Sequence, residues 1–237
     1  TRCGAVLPYG SDLTRQMRTS WPDWSTRIHP LPIGTHVMEM PCAFAHGPLK
    51  IHLFCSPPLE AGYGVAHLIN AVARLRLSGH NLYLTLSGRG SAKSDFWEQT
   101  RRLNLNTCVH FLEPLETILN SAEAYKNMFR SVDVFIRPWP TKEFRADLLE
   151  AMSVGAAVVA ATDGTDDLLI NEKTALTVPF RDEIALAAAL ERLLKDPSLG
   201  SSLGAGAQAY LRKHFLASRM VTRLTHIYHD ALAATCC

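Results

Sequence analysis

At 237 residues, 47% of them hydrophobic, the chain can bury one large core or two small ones. A formal net charge of +2, with 19% charged residues, gives no basic field suited to nucleic acid, so no nucleic-acid partner is expected. No apolar run approaches the roughly 20 residues that cross a bilayer, so membrane association is expected only through a longer parent protein. The chain begins at Thr1 with no secretory leader, as expected of a piece of something longer.

Six cysteines, Cys3, Cys42, Cys55, Cys108, Cys236 and Cys237, include no CxxC and no His pair at ligand spacing, so no metal or redox centre is expected. Cys55 and Cys108 lie in or beside apolar runs, where buried thiols belong, and a reducing cytoplasm suits this usage. None of the ten histidines pairs with an acid or a cysteine in a triad arrangement.

Residues 1–48 are rich in Pro, Trp and polar side chains without a period. They read as a connecting segment and an incoming strand, with a linker over 1–30 and one domain over 31–237. From residue 50 onward, strand-like and helix-like segments alternate. Ile51 to Cys55 predicts a strand, 56–64 a Pro/Gly loop, and Val65 to Leu77 an amphipathic helix. A strand over Leu82 to Leu86 leads through the turn Ser87 to Gly90 into a helix near Ser94 to Leu103. A short strand at Val109 to Leu112 and a helix over about Ile118 to Arg130 follow. The apolar run Val132 to Ile136 is too short for a helix and is bounded by Pro138 and Pro140. Helical spacing resumes at Leu148, Leu149, Met152 and Val154, halts at Gly155, and yields to the β-branched run Ala156 to Ala161. After a brief apolar segment at Ala175 to Val178 come helices at Asp182 to Leu194, Leu199 to His214 and Ala217 to Leu232. Asp182 is placed to start the first of these, and Pro197 separates it from the second. Such repeated alternation predicts an α/β fold, a doubly wound parallel sheet with helices on both faces.

Residues 133–167 carry the strongest functional signal. The loop before the helix holds Arg137, Lys142, Glu143, Arg145 and Asp147, with Glu150 in the first helical turns. In open parallel sheets ligands sit outside the carboxyl ends of the strands, where this loop belongs. Its carboxylates suit the hydroxyls of a polyol, while arginine and backbone N–H groups suit a diphosphate. The same acids at a helix start are also favoured by the helix dipole, by up to about 1 kcal/mol. Both readings stay open. The turn Ser87-Gly88-Arg89-Gly90 likewise reads either as close backbone approach to a phosphate or base, or as a tight turn needing positive φ. A three-glycine dinucleotide fingerprint is absent, which disfavours a nicotinamide cofactor. The stripe Ile184, Leu186, Leu190, Leu193 and Leu194 reads as core packing.

The segment DVFIRPWPTKEFRADLLEAMSVGAAVVAA closely resembles the signature of the GT-B glycosyltransferases of the large retaining family (group 1, family 4 type). There a strand ends in Pro-Ser, followed by Glu-x-Phe-Gly, Leu-Leu-Glu-Ala-Met, a glycine and Pro-Val-Val-Ala. Further similar elements run in the family's order. Pro32-Ile33-Gly34-Thr35-His36 precedes the first strand, Leu86-Ser87-Gly88-Arg89-Gly90 resembles the strand and G-x-G turn, and Val109-His110-Phe111-Leu112 the "VxFxG" element. Gly164-Thr165-Asp166-Asp167 and Lys173-Thr174-Ala175-Leu176 resemble "GGxxE…KTGLLV".

The resemblance implies two Rossmann-like domains facing a cleft, of which this chain is the carboxy-terminal, donor-binding one; the partner it lacks is the amino-terminal acceptor-binding domain. It implies a nucleotide-diphosphate sugar of UDP or GDP type as substrate, with no cofactor and no metal. Glu150 would bind the ribose, Glu143 is the catalytic candidate, and Lys142, Phe144, Arg145 and Arg137 would line the donor site, with Gly88, Gly90 and Leu112 bordering base and phosphates. This chain departs from the pattern at several of these positions. The family's first glutamate falls on Lys142, with Glu143 shifted by one; the glycine after Phe144 is Arg145; and the two cations after the first strand fall near Pro57 and Tyr63. Each charge-assisted bond to a diphosphate is worth about 1.5–3 kcal/mol, so their loss matters. The expected function is transfer to a glycan or lipid-linked acceptor, in cell-surface polysaccharide biosynthesis, by an enzyme inactive as an isolated fragment because the cleft needs both walls. The alternatives are a degenerate, non-catalytic binding or assembly module and, more weakly, an epimerase or phosphorylase of the same architecture.

Overall fold

The computed structural model of the protein describes residues 5–8, 11–31, 33–37, 50–118, 122–140, 146–164 and 167–233. Ten elements occupy the first two-thirds of the domain: β1 (Ile51–Cys55), α2 (Val65–Leu77), β2 (Leu82–Ser87), α3 (Lys93–Arg102), β3 (Val109–Leu112), α4 (Leu115–Ile118), α5 (Ala122–Arg130), β4 (Val134–Arg137), α6 (Ala146–Ser153) and β5 (Ala157–Ala161). They are preceded by α1 (Ser11–Ser20) and a 3-10 turn, and followed by β6 (Leu176–Val178), α7 (Glu183–Lys195), α8 (Pro197–His214) and α9 (Ala217–Ala233). The six strands form one sheet in the order β3-β2-β1-β4-β5-β6, every pairing parallel, which is the doubly wound arrangement.

Alternation along the strands divides the core in two. Leu53 and Cys55 of β1 point into the cluster built with α2, α3 and α7, while Phe54 points to the opposite face with α5, α6 and α8. On that second face Phe54 meets Phe129 edge-on at 5.5 Å between ring centres. Each such fully buried side chain contributes about 1.5–3 kcal/mol. Asp182 caps α7 as expected, accepting from the N–H groups of Ile184 (3.0 Å) and Ala185 (2.8 Å).

Two expectations are refined, and a third falls partly outside the described residues. The described part of residues 1–48 contains no strand; it holds the helix α1, whose Arg18 donates to the carbonyl of the buried Ile28 at 3.0 and 2.7 Å. Pro197 does more than separate two helices: it opens α8 at the first helical position, after the capping Asp196, where its missing N–H is harmless. Of the helix expected over about Ile118 to Arg130, α4 up to Ile118 and α5 from Ala122 are described, and residues 119–121 between them lie outside the described residues.

Candidate functional site at the carboxyl edge of the sheet

Because the strands are parallel, their carboxyl ends share one edge, and the winding reverses between β1 and β4. The chain leaves β1 for α2 on one face and leaves β4 for α6 on the other. Loops that part in this way leave a crevice between them, the place where open α/β sheets take their ligands.

Glycines set how closely the edge loops approach. A Cβ at Gly64 (φ 70) would lie 2.2 Å from the carbonyl oxygen of Pro138, so the loop after β1 can touch the end of β4 only without a side chain there. A Cβ at Gly88 would meet the Pro57 oxygen at 2.0 Å, and one at Gly90 the Leu59 oxygen at 2.1 Å. Neither Gly88 nor Gly90 has positive φ, so the tight-turn reading of this G-x-G is corrected: its glycines admit the protein's own β1–α2 loop. Hydrogen bonds fasten that contact, Leu59 N–H to Arg89 O at 2.7 Å and Ala92 N–H to Leu59 O at 3.0 Å. Glu60 adds a clasp, accepting from the N–H (2.7 Å) and hydroxyl (2.5 Å) of Ser91. Ser91's hydroxyl, then its N–H, hold the Glu60 carboxyl below its ordinary range.

Next along this edge, Glu113 receives Lys93 at 2.9 Å and Arg89 at 3.4 Å, and Arg89 also donates to Thr117 at 3.0 Å. Lys93 foremost, and then Arg89, depress the Glu113 carboxyl. Leu112 ends β3, is 39% exposed, and accepts through its carbonyl from Gly88 N–H at 3.2 Å.

At the crevice itself, Arg137 ends β4 and is 1% exposed, the bulkiest of the fully buried side chains. Burial pushes the Cys55 thiol well up; Asp147, in the first turn of α6, pushes it further, and Arg137 opposes. Arg137 and Asp147 thus both lie within electrostatic reach of Cys55, at the ends of β1 and β4 and the first turn of α6. Glu150 is half-buried on α6, and Trp139 is buried with its ring edge-on to Tyr63 at 5.7 Å. Lys142, Glu143, Phe144 and Arg145 lie outside the described residues.

Sequence reasoning did not single out Glu60, Trp139 or Arg181. Trp139, an aromatic between two prolines at a strand end, was the one with a local signal. The others gain meaning only from partners 31 and, for Arg181, over a hundred residues away. Among the described residues no group of three or more His, Cys, Asp and Glu could hold a metal ion. A separate groove on α9, lined by Ser218, Arg219, Thr222, Arg223, His226 and Ile227, contains none of the expected site residues.

Residues 51–196, more than half of the chain, match the family described as Glycosyl transferases group 1. Glycogen synthase of Mycobacterium tuberculosis is 26% identical over 171 residues, covering 72% of this chain and 40% of that protein. D-inositol 3-phosphate glycosyltransferase of Salinispora tropica is 30% identical over 137 residues, covering 57% of this chain and 27% of its own length. The chain therefore spans well under half the length of these curated relatives. Among solved structures, Anabaena HepE in complex with UDP and glucose superposes with a TM-score of 0.74 at 17% identity, covering 94% of this chain and 62% of that one. The C-terminal domain of the group 1 protein LpcC from Francisella tularensis matches with a TM-score of 0.60 at 15% identity, over 88% of this chain and 96% of that domain. The chain belongs to the group 1 glycosyltransferases, and its sheet is the Rossmann-like carboxy-terminal domain of their GT-B architecture.

Proposed function

We propose that the chain is the donor-binding half of a retaining glycosyltransferase acting in the cytoplasm. It would hold a nucleotide-diphosphate sugar while a separate amino-terminal domain holds a glycan or lipid-linked acceptor. In the transfer, the bond from the anomeric carbon to the diphosphate oxygen breaks and one to the acceptor oxygen forms on the same face. The acceptor's hydroxyl proton passes to the departing diphosphate oxygen. Negative charge grows on the departing diphosphate, so oriented donors and cations along the crevice are the main source of stabilisation. Glu150 accepts hydrogens from the ribose hydroxyls, Glu143 or Lys142 stands near the transferred sugar, and Arg137 with Arg145 offsets phosphate charge.

The observation that carries this reading is the reversal of winding between β1 and β4, with α6 and its half-buried Glu150 on one wall. The UDP held by HepE, which shares the fold, supports a nucleotide of that type. A second reading, a binding or assembly module without catalysis, draws on the β1–α2 loop SPPLEAGYG. It contains no Lys or Arg, and its one charge, Glu60, is engaged by Ser91.

Calorimetric titration with UDP, GDP and ADP separates the two readings. The enzyme reading expects micromolar binding of at least one nucleotide, weakened tenfold or more, about 1.4 kcal/mol, by Glu150→Ala. No heat with any of the three would leave the non-catalytic module.

A further inference from the structure

Among the described residues, three other than glycine hold left-handed backbone: Asn104 (φ 55), Glu172 (φ 61) and Arg181 (φ 61). Asparagine tolerates that region. Glu172 sits in a turn closed by the Asn171–Ala175 bridge, donates its N–H to Ala175 O at 3.0 Å, and receives Arg192 on both carboxylate oxygens at 2.8 and 3.2 Å. Arg181 has no such account. It lies between β6 and the capping Asp182 of α7, is exposed, and meets no carboxylate at ion-pair distance among the described residues.

Its side chain is nevertheless directed. The guanidinium lies over the half-exposed ring of Phe180, 4.9 Å from the ring centre. Its Nη2 stands 3.9 Å from where a Cβ on Gly62 would be, and, chain neighbours apart, no other heavy atom of the described residues comes within 4 Å of that position. Gly62 (φ 139) is in the β1–α2 loop, two residues before the Gly64 that touches Pro138 at the end of β4. Arg181 therefore brings a positive charge beside the β1–α2 loop, from the end of β6 and on the face of the sheet that α2 and α7 share. Of the other cations described along this edge, Arg89 and Lys93 are engaged by Glu113, and Arg137 is 1% exposed at the end of β4. Local strain held at one residue, whose charge meets an aromatic face but no carboxylate among the described residues, is the pattern of a binding position.

We infer that Arg181 supplies the cation that meets the diphosphate of the nucleotide donor, reaching over Gly62 to serve a loop with no Lys or Arg of its own. The inference rests on the donor-binding reading. A guanidinium presents a planar fork of N–H donors to phosphate oxygens, and stacking on Phe180 limits the freedom it would lose on binding.

The test is calorimetry on the wild type, Arg181→Gly and Arg181→Lys, titrated with UDP, GDP and ADP and with the corresponding nucleosides, alongside thermal melts. Arg181→Gly is expected to weaken diphosphate binding at least tenfold, to leave nucleoside binding within twofold, and to melt no lower than the wild type, since glycine accepts the left-handed backbone. Arg181→Lys is expected to fall between the two. Unchanged diphosphate affinity in Arg181→Gly overturns the inference and leaves the donor reading standing; so does equal loss for diphosphate and nucleoside, or a lowered melting temperature accompanying the loss. A wild type that binds no nucleotide overturns the donor reading and this inference together.

Discussion

The two sides of the carboxyl edge are built to different ends. On the β1–β2–β3 side the polar groups are spent on the protein itself: Gly88 and Gly90 admit the carbonyls of Pro57 and Leu59, Glu60 clasps Ser91, and Glu113 collects Lys93 and Arg89. On the β1–β4 side one glycine contact, Gly64 against Pro138, joins loops that then part toward opposite faces, and Arg181 stands beside Gly62 of the β1–α2 loop without a carboxylate partner among the described residues. The difference teaches that a G-x-G turn after a strand can serve the scaffold, fixing one wall so that the neighbouring gap stays in place.

The largest effect expected from this contrast comes from filling the scaffold side. Gly90→Ala puts a Cβ 2.1 Å from Leu59 O and 2.3 Å from its carbonyl carbon, both backbone atoms that cannot swing away. Destabilisation of about 1–3 kcal/mol or more is expected from such overpacking. Gly79→Ala is the control: its φ of 86 is left-handed, unlike that of Gly90, but among the described residues nothing lies within 4 Å of its Cβ position, so only the conformational cost of about 1–2 kcal/mol applies. Denaturant melts in which Gly79→Ala is the worse of the two would break the assignment of Gly90 to backbone packing.

A smaller effect follows from the clasp. The folded carboxyl of Glu60 titrates below its unfolded value, about 4.3, because of Ser91. Its contribution is therefore complete above the unfolded value and is lost as pH falls through the folded one. Glu60→Gln is expected to flatten the acid limb of melting temperature against pH below about 4.3, as is Ser91→Ala. An unchanged acid limb in both would remove the clasp from the account of this wall.

Much of the fold was legible because its strands are short, uninterrupted apolar runs. Ala157 to Ala161 is buried at every position, as a central strand of a parallel sheet must be, and its β-branched core reads plainly in the sequence. α1 was not legible: SDLTRQMRTS offers only Leu13 and Met17 as apolar residues, and its anchor, Arg18 on the Ile28 carbonyl, is a tertiary bond. At the site, the position of Arg137 and Glu150 could be read from the strand–loop–helix pattern, yet the near-complete burial of Arg137 could not, since that depends on tertiary packing around the end of β4. The role of Gly88 and Gly90 was hidden because their contacts come from a loop some thirty residues earlier, and Arg181 was hidden for the same reason across a longer span. Lys142 to Arg145, where the family pattern is most altered, are outside the described residues.

The central claim is that a nucleoside diphosphate occupies the crevice between the ends of β1 and β4. Amide hydrogen exchange with and without saturating UDP, GDP or ADP tests it most directly, because it reports where the ligand sits. The account predicts slowed exchange in the loop 56–64, the first turn of α2 and the start of α6, with Ser87 to Gly90 changing less. Protection confined to α9, or none in any of these segments despite measurable binding, would contradict it.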